Sequence, residues 1–239
     1  MSFDLSFPAF LAYSRRGFTT LSHRAARLIA MMFLRRKLDH LAVRFPGGPE
    51  GNRRLTALLG ALLLAGIVVE LATLMLGLRQ TLPVHIFVGV ALIPIVMLKL
   101  ASTGWRMIRY YTRSPAYRAE GPPRPLLRGI APLVVGSTAA LLGSGVGLVF
   151  AGPHGHFFRA VHSASFALFL LVVGAHALAH LPKLRRFAFA DWASGRRAHG
   201  HALRRGAAAF GIVAGGALAV AALQTAEPWM TAVQRSVGG

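Results

Sequence analysis

Four of the ten histidines lie inside long apolar stretches, where an ionisable side chain is costly and is therefore a candidate functional residue. His85 lies in one stretch, and His162, His176 and His180 lie in a later one. At about 100° of rotation per helical residue, His162 and His180 point the same way and His176 differs by about 40°. These three side chains therefore form one stripe on a single helix face.

Neutral imidazole is a common ligand of haem iron and of other transition metals. The sequence contains no Cys, which excludes disulfides, thiolate zinc sites, Cys-ligated iron–sulfur clusters and covalently attached c-type haem. Metal binding by this chain would therefore depend on histidine. The sequence also has no glycine-rich phosphate loop, dinucleotide fingerprint or nucleophile with an oriented base, so a self-contained hydrolase or dehydrogenase is not expected.

Five apolar stretches position these histidines, and each is close to the ~20 residues that a helix needs to span a bilayer. Hydrophobic residues make up 54% of the chain, and its mean hydropathy is +0.54. The apolar character is continuous rather than alternating, which predicts helices and not barrel strands. We therefore predict an all-α, polytopic membrane bundle in contact with the lipid bilayer. The predicted spans are residues 55–78, 83–105, 130–151, 158–181 and 207–223.

The basic residues indicate the direction of these spans. Of the 27 Lys and Arg residues, ten lie in residues 1–54, six in residues 106–128 and seven in residues 183–205. The positive-inside rule places these segments in the cytoplasm, with the N-terminus inside and the C-terminus outside the cell membrane. Because the charges alternate with apolar spans instead of forming a soluble basic face, the net charge of +20 predicts no nucleic-acid partner.

In this topology the second and fourth spans run parallel, from the outside to the inside. His85 and His162 then share an outer depth, whereas Lys99 and His176, each 14 residues further along, share an inner depth. Two imidazoles that face each other across parallel helices can ligate the iron of a b-type haem from both sides. The pattern therefore predicts His85 and His162 as the ligands of haem b.

This arrangement resembles the membrane-bound b-type cytochromes, in which the second and fourth helices of a four-helix bundle carry histidines 13 or 14 residues apart and hold two stacked haems. The segment RAVHSASFALFLLVVGAHALAHLPKL, residues 159–184, is also similar to the His-rich helix of bacterial cytochrome b561-like membrane domains. The resemblance covers residues 55–181. It implies a four-helix cytochrome b-like core, an outer haem on His85 and His162, and an inner-site ligand at His176. It also implies electron transfer between a redox partner subunit and quinone or another acceptor.

Lys99 departs from that family, in which a histidine is expected at this position. The inner haem is therefore absent, held by His176 with Lys99 or water, or replaced by another use of the site. His180, one turn from His176, can take its place, and the spare imidazole would then bond a propionate or a quinone. Lys99 can instead extend along its apolar stem toward the inner interface near Trp105. The sequence is consistent with one haem or with two.

Three further residues of the spans bear on this site. Gly89, one turn from His85, and Gly145 in the third span would leave room for a flat macrocycle, although small residues also let membrane helices approach closely. Glu70 in the first span must be protonated, bonded to a neighbouring helix or part of a proton path. A haem-free alternative is a membrane anchor or small-solute permease whose histidines serve helix packing or proton relay.

The chain outside the four-helix core is divided into three parts. Residues 1–54 are predicted to form a basic amphipathic segment at the membrane surface, with Leu28, Ile29, Met32 and Phe33 toward the acyl chains. The motif SRRGF at residues 14–18 is close to a twin-arginine export signal, but the apolar run after it is short and ends in basic residues. Residues 182–206 form a basic cytoplasmic loop, and residues 207–239 form a fifth transmembrane helix with a short external tail.

Overall fold

The computed structural model describes residues 25, 28, 29, 31, 32, 47–121, 125–193 and 199–237. The chain divides into two compact units, Met1–Phe45 and Pro46–Gly239. In the first unit the described residues are helical, and Leu28, Ile29 and Met32 are 62%, 55% and 69% exposed. Phe33 and the twin-arginine-like motif lie outside the described residues, so the amphipathic surface helix stays a prediction.

The described part of the second unit consists of helices joined by turns and contains no strand. The helices are α1 (Gly48–Met75), α2 (Leu78–Tyr111), α3 (Pro125–Ala151), α4 (His156–Phe187), α5 (His201–Thr225) and α6 (Glu227–Val237). A helical turn, Pro115–Arg118, follows α2, and a 3-10 turn, Gly152–His154, follows α3. Helices α1 to α5 are long and apolar enough to cross a membrane, with a mean hydropathy of 1.9 to 2.3 in their most apolar windows. The prediction of an all-α bundle with five such helices is therefore confirmed.

Tight turns make α1 antiparallel to α2 and α3 antiparallel to α4. Gly77 ends α1 with a φ of 97°, a conformation that a residue with a Cβ rarely adopts, and α2 begins at the next residue. Gly152 has a φ of 66° in the 3-10 turn between α3 and α4. The start of α2 and the start of α4 therefore lie at the same end of the bundle, the end with few basic residues.

A small apolar core lies between α1 and α2, and α5 packs against α2 beside this core. Leu55, Leu59, Leu92 and Ile95 form the buried cluster, which is extended by partly buried side chains of α1, α2 and α5. On α5, Gly215 approaches α2 so closely that a Cβ there would collide with the Ala91 carbonyl oxygen. Close approach through small residues is the usual way in which membrane helices pack.

Most of the apolar surface of the five long helices faces outward. Only 11% to 22% of each apolar window is buried inside the protein. The side chains of Leu171, Leu178 and Val213, for example, are 73%, 72% and 71% exposed. A surface this apolar is stable in lipid and not in water, so the fold is that of a multi-pass membrane protein.

Ion pairs join the helices at the basic end of the bundle. Asp191, in the turn after α4, accepts hydrogen bonds from Arg204 of α5 at 2.6 and 2.7 Å and from Arg54 of α1 at 3.0 Å. Arg204 is only 1% exposed. Burial raises the pKa of Asp191, but the hydrogen bonds and charges of the two guanidinium groups outweigh burial and hold the pKa below its ordinary value of 3.8. The carboxylate is therefore charged at neutral pH and connects three segments of the fold.

Candidate functional site

His85 and His162 face each other across a cavity that lies between the α1–α2 pair and the α3–α4 pair. The two imidazole centroids are 6.3 Å apart, and the ring planes are inclined at 84°. The cavity has a volume of about 640 Å³, and its lining comes from α1 to α4 with Trp229 of α6. We call this space the histidine cavity. It brings together the two residues that the sequence predicts as a pair.

The Nδ1 atom of His162 is held by α3. It lies 3.1 Å from the carbonyl oxygen of Leu141 and 3.2 Å from Ser144 Oγ. A carbonyl oxygen only accepts hydrogen bonds, so Nδ1 carries the proton and donates it to Leu141. In a neutral imidazole the lone pair then belongs to Nε2, which leaves that atom as the ligand.

The Nδ1 atom of His85 is held in a similar way by α1. Glu70 Oε2 lies 2.5 Å from it, and Thr73 Oγ1 lies 3.1 Å from it. The Thr73 hydroxyl donates to the carbonyl oxygen of Glu70 at 2.6 Å, so its oxygen is available to accept from His85. Both neighbours of Nδ1 therefore favour a proton on that atom and a free lone pair on Nε2 of His85.

Glu70 of α1 contacts His85 of α2. Its side chain is 17% exposed, and neither carboxylate oxygen has a well-aligned hydrogen bond to a described residue. Its contact with His85 is therefore its principal polar interaction within the described residues. A carboxylate or a carbonyl behind the imidazole is the usual outer partner of a metal-bound histidine, because it fixes the tautomer and ring orientation.

The donor set of the histidine cavity fits haem better than a metal ion held by protein ligands alone. The described residues contain no group of three or more His, Cys, Asp or Glu that could hold a metal ion. Haem would need only one or two ligands from the protein, and the imidazoles of His85 and His162, with centroids 6.3 Å apart, would supply them. The volume also falls within the ~300–1,000 Å³ typical of cofactor sites.

The two glycines predicted at this site have different roles. A Cβ at Gly145 would lie 3.2 Å from His162 Cε1 and 3.5 Å from its Nδ1, so the glycine makes room for the imidazole. A Cβ at Gly89 would lie 3.5 Å from Glu70 Oε1, which is an ordinary van der Waals contact. Both glycines line the histidine cavity, and neither is a point of close helix-to-helix backbone contact.

The inner residues of the predicted pattern form a separate group. His176 and His180 do not line the histidine cavity; their ring centroids are 4.4 Å apart. The Nδ1 atom of each is buried and has no hydrogen-bond partner among the described residues. Lys99 Nζ donates to the Thr56 carbonyl oxygen at 3.1 Å, opposite Gly60, where a Cβ would lie only 2.9 Å from Nζ. Lys99 thus points into the α1–α2 contact instead of extending toward the interface.

Four residues that contribute to the cavity were not predicted from the sequence. Thr73 and Ser144 hold the two imidazoles. Trp229 donates its indole N–H to the Leu148 carbonyl oxygen at 2.8 Å, and Arg159 lies over the Trp229 ring at 5.4 Å. The hydroxyls of Thr73 and Ser144 could be identified as partners of the histidines only if the neighbouring helices were known. The apolar pattern of the sequence does not show which helices are neighbours.

No protein-family model, curated protein or solved structure matches this chain.

Proposed function

We propose that the chain is a membrane electron-transfer subunit that binds haem b between His85 of α2 and His162 of α4. The observation that carries the proposal is the facing pair of imidazoles, each with its Nδ1 atom held by acceptors of an adjacent helix. This arrangement directs both Nε2 lone pairs away from those acceptors and makes them available to a metal. Bound haem would supply one-electron redox chemistry.

The residues of the chain would bind, orient and shield this cofactor. Leu141 and Ser144 fix the His162 ring, while Glu70 and Thr73 fix the His85 ring. Glu70 beside His85 would make that imidazole a stronger electron donor to a bound iron. The mainly apolar lining would exclude water and tune the potential through burial.

The proposal also covers orientation and partners. The N-terminus lies in the cytoplasm and the C-terminus outside the cell membrane, because the basic segments stay inside. The histidine cavity then lies toward the outer face. Electrons would pass between a redox partner subunit and quinone or another acceptor, because haem in this role transfers electrons without transforming a substrate. The His176–His180 pair remains open to a second haem or to another ligand.

The test uses the full chain purified in detergent after expression with haem supplied. His85→Gly and His162→Gly should each lose most of the bound haem, and added imidazole should restore part of it because it replaces the missing axial ligand. His154→Gly and His156→Gly are the controls, since both residues are exposed and neither lines the histidine cavity. Helical circular dichroism would confirm that each variant is folded. Full haem content in both His85→Gly and His162→Gly would refute the ligand assignment.

A further inference from the structure

Arg159 lies at the end of the histidine cavity that is nearer the α1–α2 and α3–α4 turns. It is on α4, one turn before His162, so its Cα is about 4.5 Å further along the axis toward that end. Three contacts limit its motion. The guanidinium lies 5.4 Å from the Trp229 ring centroid, an Nη2 donates to the Pro153 carbonyl oxygen at 2.9 Å, and Trp229 is itself bonded to Leu148.

Arg159 also differs in charge from its surroundings. Among the described residues that line the histidine cavity, it alone carries a permanent positive charge. A guanidinium has five N–H donors, and the hydrogen bond to Pro153 uses one donor of Nη2. The remaining donors can bind a carboxylate through two parallel hydrogen bonds. The cavity therefore combines an apolar body with a cationic end.

We propose that Arg159 is the anion-binding residue of the histidine cavity and pairs with a carboxylate of the planar ligand held there. This inference rests on the proposed function, because haem b carries two propionate groups on one edge of the macrocycle. The pairing determines the orientation of the ligand: the propionate edge lies at the Arg159 end, and the opposite, apolar edge lies deeper, toward Leu63 and Val96. The cavity would consequently prefer ligands with free carboxylates to their neutral esters.

The experiment compares two ligands in two proteins. Haem b and its dimethyl ester, in which both propionates are neutral, are titrated into haem-free full-length chain in detergent, and the dissociation constants are measured by absorbance. The wild-type chain should prefer haem b by about 2-fold to 5-fold, because the ester loses the charge-assisted hydrogen bonds but Arg159 is exposed, where ion pairs are weak. Arg159→Gln should weaken haem b binding by a similar factor and leave ester binding unchanged, and Arg159→Lys should restore part of the preference.

Arg79→Gln is the matched control, because Arg79 is an exposed arginine in the first turn of α2 that does not line the histidine cavity. It should keep the wild-type preference. If Arg159→Gln kept the preference for haem b over the ester, the inference would be overturned. An equal loss of affinity for both ligands would also overturn it, because that loss would show that Arg159 only supports the fold through Trp229 and Pro153. If the wild-type chain bound neither ligand, the proposed function would fail as well, and this result is distinct from the other two.

Discussion

At the scale of single residues, the hydrogen bonds of Nδ1 decide what His85 and His162 can do. The Leu141 carbonyl oxygen fixes the proton of His162 on Nδ1. The Thr73 hydroxyl oxygen, with the Glu70 carboxylate beside it, favours the same tautomer of His85. Here the known partners occupy Nδ1, which favours ligation through Nε2.

Gly145 provides a test of the shape of the site. Gly145→Val should weaken haem binding by about 10-fold or more, because the added side chain would push against the His162 imidazole and overpacking costs about 1–3 kcal/mol. Gly143→Val is the matched control, since a Cβ at Gly143 meets no described atom within 4 Å. Haem titration of the folded variants measures the effect. Equal affinities in the two variants would show that the position of His162 does not depend on Gly145.

The sequence predicts the positions of the two imidazoles but not their partners. Helical rise and the direction of the spans are sufficient to place His85 and His162 at one depth. The pairing of α1 with α2 and of α3 with α4 then brings Glu70 and Ser144 to them, and this depends on tertiary packing. Lys99 illustrates the same limit: its depth is predictable, but its hydrogen bond to Thr56 follows from the space opposite Gly60.

At the scale of helices, the apolar pattern identifies each span but not its full length. The predicted spans 83–105 and 158–181 continue as helix to Tyr111 and Phe187, and 207–223 begins as helix at His201. These extensions all lie at the basic end. Hydropathy detects only the part of a helix that is apolar, whereas arginines also favour helix and let it continue beyond the hydrocarbon thickness.

The contact between α5 and α2 should depend on Gly215. Gly215→Val places atoms where the Ala91 carbonyl oxygen lies, so we expect a loss of about 1–3 kcal/mol in stability and a lower melting temperature in detergent. Gly216→Val is the control, because no described atom lies within 4 Å of a Cβ at that position. Thermal unfolding followed by circular dichroism compares the two. Identical melting temperatures would contradict the close packing of α5 on α2.

Asp191 should make the stability of the bundle sensitive to acid. Because its pKa is lower in the folded chain than its ordinary value of 3.8, its contribution is complete above about pH 5 and is lost as the pH falls below 3.8. Asp191→Asn should destabilise the protein at pH 7 by about 3–5 kcal/mol, because the buried Arg204 guanidinium loses its ion pair with the Asp191 carboxylate. Its melting temperature should also fall less between pH 5 and pH 3 than that of the wild type.

Glu227→Gln is the control for this comparison, because Glu227 is an exposed acid in the first turn of α6 and takes no part in the ion pairs of Asp191. Melting temperatures are measured from pH 3 to pH 7 for the three proteins. If the melting temperatures of Asp191→Asn and the wild type fell in parallel over this pH range, Asp191 would not be the cause of the acid sensitivity.

At the scale of the whole molecule, the distribution of charge should fix the orientation in the membrane. The chain has no Cys, so single-cysteine variants can report topology without a background. Arg118 lies in the turn between α2 and α3, and His154 lies between α3 and α4. Both side chains are exposed, so the variants Arg118→Cys and His154→Cys test opposite ends of α3. A membrane-impermeant maleimide should label only His154→Cys in intact cells, because the basic segments remain inside. Labelling of Arg118→Cys alone would show that the chain has the opposite orientation.

The bundle as a whole combines an outward apolar surface with one cavity that holds two facing imidazoles. The most direct test of its central claim is the dithionite-reduced minus oxidised absorbance spectrum of the purified full-length chain, expressed with haem supplied. Haem b held by His85 and His162 predicts the narrow α band of a six-coordinate b-type cytochrome, which His85→Gly and His162→Gly should lack. A colourless protein with no α band would contradict the account and leave a haem-free membrane anchor or permease as its replacement.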